Sequence, residues 1–286
     1  MLLDRVYKPK EDDILYHYCD ANAFLSICTS GKIRFGDLFS MNDFMEMHWG
    51  YSVWEEAATE LLDVVGREFL DEIDKIIHSS GMKGVLTASC FSLSGDVLRQ
   101  WRAYADDGQG YAIGFSAKDL IEAPVRPLSV LYNHEKQVHE MKSIILSLFK
   151  VEQQEEIKFG GDFWEVCTRI AFDLSSFKNP AFAEEQEVRL VHLLSLVEGQ
   201  SFFKLTDDGG TAFGQPAAGE PIQFKIRHNT PTPFIDLDYT NKGIINPIKE
   251  VILGPKNDSL PTGVAVFLET VGIGSVRILK SKASYR

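Results

Sequence analysis

The feature of this sequence that most narrows its fold is the irregular order in which extended and helical patterns follow one another. Runs rich in β-branched, aromatic and other apolar residues occupy positions 14–18, 32–35, 85–92, 110–115, 127–132, 187–194, 222–227, 234–237, 250–253 and 276–279. Short runs of this kind, bounded by turn formers, read as strands. Helical patterning occupies 21–30, 53–80, 97–104, 134–157, 162–177 and 262–271. A doubly wound parallel sheet needs strands and helices in regular alternation, and they do not alternate here. The expectation is an α+β fold: two mixed, mostly antiparallel sheets meeting around a cleft, with peripheral helices. At 286 residues the chain is somewhat long for one domain and short for two. It is therefore read as a single domain, 1–286, in which about 134–178 forms a helical elaboration packed outside the sheets.

Local signals place the element ends. Asp20 suits an N-cap and Gly31 a left-handed stop, so the first helix lies between them. Leu61, Leu62, Val65, Phe69, Ile73, Ile76 and Ile77 recur at helical spacing through 53–80, which reads as one long helix. The segment 207–221 holds four glycines, Gly209, Gly210, Gly214 and Gly219, with few large apolar residues. It reads as a flexible surface loop or as a lid over a site.

Composition removes several classes of function. The formal net charge of -12 argues against non-specific duplex binding, which requires clustered Lys and Arg. A local basic pocket stays compatible with that charge. No stretch approaches the roughly 20 apolar residues needed to span a bilayer. Asp4 and Arg5 stand where a secretory signal needs its apolar run, so a cytoplasmic location is expected. Cys19, Cys28, Cys90 and Cys167 show no zinc-ligand spacing and read as reduced thiols, with no metal expected.

Gly108, Gly110 and Gly114 precede a strand instead of opening a helix, which rules out a dinucleotide fingerprint. No phosphate loop, nucleophile elbow or zinc-protease motif is present. His134 and His139 are five apart and do not share a helix face.

Three segments remain chemically interesting. In residues 184–190, Glu184, Glu185 and Glu187 lie where a loop feeds an apolar strand. Extended geometry points Glu185, Glu187 and Arg189 to one face, where Arg189 would hold the Glu187 carboxyl ionised. A solvated strand edge accounts for the same pattern. In the second segment, Ser89-Cys90-Phe91-Ser92 is followed by Arg99, Trp101, Arg102 and Tyr104. Aromatic and guanidinium groups together suit a flat heterocycle and a phosphate, although Trp101 reads more simply as a helix anchor. The third is Tyr16-His17-Tyr18, whose strand histidine counts only in company.

Taken in chain order, these segments resemble a bacterial family known as domain of unknown function 2971. The resemblance rests on Leu15-Tyr16-His17-Tyr18, on Gly31-Lys32-Ile33-Arg34-Phe35 with Met41-Asn42-Asp43, and on Ser89-Cys90-Phe91-Ser92. It continues through Trp101, Tyr104, Ala105 and Gly110, then Glu184-Glu185-Gln186-Glu187-Val188-Arg189-Leu190, Ile252-Leu253-Gly254-Pro255, and Ser281-Lys282 with Tyr285-Arg286. The order of motifs is also similar to that of remote ADP-ribosyltransferases. This second resemblance implies an ADP-ribosyltransferase-like fold and NAD as substrate. It implies Glu187, Glu185 and Tyr104 as catalytic residues, with either Ser92 or Tyr104 as the central motif residue. His17, Tyr18, Ser92, Trp101, Arg102 and Arg189 would bind the nucleotide. The implied activity is NAD-dependent ADP-ribosyl transfer or NAD glycohydrolysis, in the setting of bacterial conflict or phage defence. The alternative is a non-catalytic binding or sensor module with a polar pocket for a nucleotide-like small molecule.

Overall fold

The structure is a computed structural model that describes residues 5–38, 44–227 and 229–285. Met41-Asn42-Asp43 and Arg286 lie outside the described residues. The chain begins with β1 (Ile14–Cys19), α1 (Ala21–Ser30) and β2 (Lys32–Asp37), followed by α2 (Phe44–Val65) and α3 (Arg67–Ser79). Next come β3 (Gly84–Ser92), α4 (Leu98–Tyr104), β4 (Tyr111–Ser116), α5 (Ala117–Leu120) and β5 (Arg126–Ser129). The helices α6 (His134–Gln154) and α7 (Gly161–Asp173) precede β6 (Glu187–Glu198) and β7 (Phe203–Thr206). The remaining elements are β8 (Gly210–Ala212), β9 (Gln215–Ala217), β10 (Gln223–Arg227), β11 (Thr230–Asp238), β12 (Ile248–Leu253), α8 (Pro261–Thr270) and β13 (Arg277–Lys280).

Capping residues act as their chemistry requires. The Asp20 carboxylate accepts from Ala23 N–H, and Gly31 closes α1 at φ 64°. The single long helix expected over 53–80 is two helices. Gly66 sits between α2 and α3 at φ 85°, a conformation unfavourable to residues with a side chain. The apolar period continues across the break because both helices bury the same face.

The fold is mixed α+β with a mostly antiparallel open sheet. Instead of two sheets meeting at a cleft, one branched eleven-stranded sheet forms among the described residues, beside the separate pair β8 and β9. The branch arises on β3. One edge of β3 pairs with β6 along its whole length, from Gly84↔Ser195 to Ser92↔Glu187. The other edge is shared: β2 takes Thr87 and Ala88, while β1 takes only Ser92. From there β1, β4, β12 and β13 continue one arm, and β2, β11 and β10 the other. Among the described residues, that edge has no strand partner between Ala88 and Ser92. Its Cys90 carbonyl is instead reached by the His17 ring, at 3.0 Å.

Leu15, Phe35, Ile113, Phe115 and Val251 fill the sheet core together with Phe24 of α1 and Leu268 of α8. A separate helical core joins α6 and α7 to α2 and α3 through Trp54, Ile73, Ile76, Met141, Cys167 and Ile170. The helical layer thus extends beyond the expected 134–178 and draws on the segment before β3 as well. The glycine-rich segment 207–221 contains the β8–β9 hairpin. Asp207 accepts from Gly209 N–H at 2.9 Å, from Glu220 N–H at 2.7 Å and from the His192 ring at 2.7 Å. This carboxylate holds both ends of the hairpin. Among the described residues, no helix is long and apolar enough to cross a membrane.

Candidate functional site

A cavity of about 530 Å3 opens where the two arms of the sheet leave β3. Its walls come from β1 (Tyr16, His17, Tyr18), β2 (Arg34, Gly36, Asp37), β3 (Ala88 to Ser92) and β6 (Glu187, Arg189). Gln100, Ala103 and Tyr104 of α4 contribute, as do Lys178, Phe182 and Glu185 from the connection before β6, and Lys225 and Arg227 from β10. The volume is in the range of small-molecule sites.

Its floor is a buried ion network. Arg189 grips Glu187 with two guanidinium nitrogens, Nε to Oε1 at 2.7 Å and Nη2 to Oε2 at 3.1 Å. Lys178 Nζ donates to Glu187 Oε2 at 2.9 Å and to Glu185 Oε2 at 2.6 Å. All four residues are buried, none more than 6% exposed. The Arg189 fork is fixed from behind by the Ser175 carbonyl, 2.5 Å from Nη1. Burial together with the neighbouring Glu187 carboxylate pushes the Cys90 thiol well up. An ionised carboxylate offers about four acceptor positions, and Arg189 and Lys178 fill three of those of Glu187.

The two carboxyls are driven apart. Burial alone would raise Glu187, but the Arg189 guanidinium and the Lys178 ammonium outweigh it and hold the group well below the usual carboxylate range. At Glu185 burial dominates over Lys178, and its carboxyl is raised. Among the described residues no hydrogen bond reaches Glu185 Oε1, and Arg99 Nε lies 3.9 Å from it. Glu185 thus keeps one oxygen free to accept.

Local backbone explains this pairing better than strand alternation does. Glu185 ends a 3-10 turn (Pro180–Glu185), and Gln186 follows in the left-handed region at φ 45°. The kink turns both carboxylates toward Lys178, although only Glu187 belongs to the strand. Ser92 secures the turn: its hydroxyl donates to the Glu185 carbonyl at 2.7 Å and accepts from Ser94 N–H at 3.1 Å. Ser92 therefore lines the cavity as a brace for Glu185.

His17 is a defined acceptor. The Cys90 carbonyl can only accept, so Nδ1 carries the proton. Burial pushes the imidazole pKa down, leaving Nε2 with a lone pair. Tyr18 donates its hydroxyl to Ser94 O at 2.9 Å and accepts from Val97 N–H at 3.0 Å, fixing the start of α4. Tyr104 stands on the last turn of α4, about 40% exposed.

Seven of the expected site residues, Glu187, Glu185, Tyr104, His17, Tyr18, Ser92 and Arg189, line this one cavity. Trp101 and Arg102 do not. Trp101 is fully buried behind it, donating Nε1–H to Asp96 at 2.7 Å and meeting Tyr18 edge-on. That anchoring role consumes the indole. On the next position of the helix, Arg102 points away and lies 5.7 Å from the Tyr285 ring. None of 207–221 lines the cavity, so the hairpin is no lid over it.

Sequence reasoning passed over Lys178, Phe182, Arg34, Lys225 and Arg227. Only Lys225 and Arg227 carried a signal, as the alternate basic positions of a strand whose intervening residues, Phe224 and Ile226, are apolar. Lys178 lies nine residues before Glu187, and only the intervening turn returns it.

Residues 100–190 match the model of a family described as a protein of unknown function, DUF2971. That match spans α4 through the first strand residues of β6 and so includes Tyr104, Lys178, Glu185, Glu187 and Arg189. No curated protein and no solved structure matches the chain.

Proposed function

We propose that this cavity binds a nucleotide-like substrate, NAD, and promotes loss of nicotinamide with transfer of ADP-ribose to an acceptor or to water. The observation that carries the reading is the divergence of two adjacent buried carboxyls, Glu187 depressed and Glu185 raised, beside one lysine. Paired carboxyls in unlike environments are how a protein obtains different roles from the same group. The reactive role falls to Glu185, whose Oε1 is free to orient a ribose hydroxyl or to face positive charge developing on the sugar. Glu187 holds Lys178 and Arg189 in place. His17 Nε2 can accept from a second hydroxyl, and Tyr104 and Phe182 offer faces for a flat ring. The donor set fits NAD in kind: acceptors for ribose, aromatic faces for bases and cations for phosphates. The test is incubation of the wild-type protein with NAD, followed by quantitation of free nicotinamide and ADP-ribose. Steady release supports the reading, and intact NAD after prolonged incubation, with and without protein acceptors, counts against it.

A second reading is favoured by the three protein donors on Glu187. With Glu187 held by Arg189 and Lys178, the cavity also suits a sensor that binds a nucleotide without cleaving it. Stabilisation by NAD without nicotinamide release is its signature. A ligand at 100 times its Kd stabilises by roughly 2.7 kcal/mol, well within reach of a thermal melt.

A further inference from the structure

The β10 side of the cavity has a chemistry of its own. β10 is the last strand of its arm, and its alternation sends Lys225 and Arg227 to the cavity while Phe224 and Ile226 face outward. Two strands away, Arg34 of β2 presents a third cation to the same space. Arg34 is already held by Asp236, at 2.9 and 3.0 Å, and lies 3.8 Å from the Phe234 ring centroid. Lys225, in contrast, makes no hydrogen bond or ion pair among the described residues. Arg227 and Arg34 repel the Lys225 ammonium, and Asp236 attracts it. Burial, followed by Arg227 and Arg34, lowers the Lys225 ammonium accordingly. This concentration of positive charge stands on a chain of net charge -12.

A second observation points to a ligand in the same space. The Ser89 hydroxyl lines the cavity, is 2% exposed and has no hydrogen-bond partner among the described residues. Buried hydroxyls are ordinarily paired, and Ser89 lies on the stretch of β3 that neither arm of the sheet covers.

We propose that Lys225, Arg227 and Arg34 form an anion subsite for the phosphates of the ligand, and that Ser89 supplies a hydrogen bond deeper in the split between the arms. The cavity on this account takes a phosphorylated nucleotide in preference to a nucleoside or a free base. The inference rests on the nucleotide reading above and assigns its phosphate end. An arginine and a lysine together suit a diphosphate: the guanidinium forks two oxygens while the ammonium acts as a point charge.

The experiment is isothermal titration calorimetry on the full chain at matched ionic strength, with inorganic pyrophosphate, ADP-ribose, NAD and adenosine as probes. Lys225→Gln is compared with Lys225→Arg, which keeps the charge, and with Phe224→Gln on the outward face. The expected result is a loss of at least about tenfold in affinity for ADP-ribose, NAD and pyrophosphate in Lys225→Gln, with adenosine unaffected. Lys225→Arg and Phe224→Gln should bind like wild type. Pyrophosphate binding that depends on Lys225, without NAD binding, would uphold the anion subsite and remove the NAD reading. NAD bound equally by wild type and Lys225→Gln, or adenosine bound as tightly as ADP-ribose, would overturn the subsite and leave the NAD reading standing. Absence of binding by every probe would overturn both.

Discussion

Replacing Glu187 with Gln tests whether the floor of the cavity is the buried ion network described above. The amide keeps the volume but removes the charge, and one of its two positions becomes an N–H2 donor. In either orientation that donor confronts another donor: Arg189 Nε on one side, or Arg189 Nη2 and Lys178 Nζ on the other. Lys178 and Arg189 then lose the carboxylate they share. Breaking a buried pair by removing one partner costs about 3–5 kcal/mol. For a chain of this size each kcal/mol lowers Tm by roughly 2–4 °C, so the expected fall is on the order of 10 °C. The effect has a pH signature. A carboxyl depressed in the folded state stabilises at pH values above its ordinary value of 4.5, and that contribution is lost as pH falls through the folded value. The Tm gap between wild type and Glu187→Gln should therefore be full at pH 6–8 and narrow below about pH 4.5. Thermal melts followed by circular dichroism across this range measure it. A properly folded variant whose Tm falls by less than about 2 °C at pH 7 would refute the buried network.

Three further outcomes follow from other parts of the molecule. Ser92→Ala removes the brace on the Glu185 carbonyl and should destabilise by about 1–3 kcal/mol in urea unfolding, the cost of a buried acceptor left unpaired. Asp173, 3% exposed and 3.3 Å from Arg126, has its carboxyl raised to about 6, chiefly by burial. Its favourable contribution is present below the ordinary carboxylate value and lost as pH rises through 6, so Asp173→Asn should flatten the fall in stability between pH 4 and pH 6. Asp207→Ala frees both ends of the β8–β9 hairpin and should expose 209–219 to limited proteolysis, with cut sites read by mass spectrometry; an unchanged digestion pattern would count against the clamp.

How far the sequence carried the account depended on the range of the interactions. The caps of α1 and most strand positions were legible because Asp20, Gly31 and the apolar runs act within a few residues. Gly66 was passed over because the apolar period of 53–80 runs through it unbroken. The branching of the sheet was not legible, since it depends on β1 and β2 sharing one edge of β3, a contact between distant segments. At the site, Glu185, Glu187 and Arg189 stood out as charges entering an apolar strand. Their partner Lys178 did not, because the turn that brings it back has no periodicity. Aromatic and basic character in α4 drew Trp101 and Arg102 into the expected site, while helix geometry turned one into the core and the other toward Tyr285.

The most direct test of the proposed chemistry is nicotinamide release by Glu185→Gln, measured beside its melting temperature. The amide keeps the volume of Glu185, and Lys178 retains Glu187 as a partner. The account predicts a variant that still folds, with a lowered Tm from the broken Lys178 pair, and release per folded molecule slowed by about a hundredfold or more, the scale for removing one preorganised electrostatic group. Release at the wild-type rate by a folded Glu185→Gln protein would contradict it.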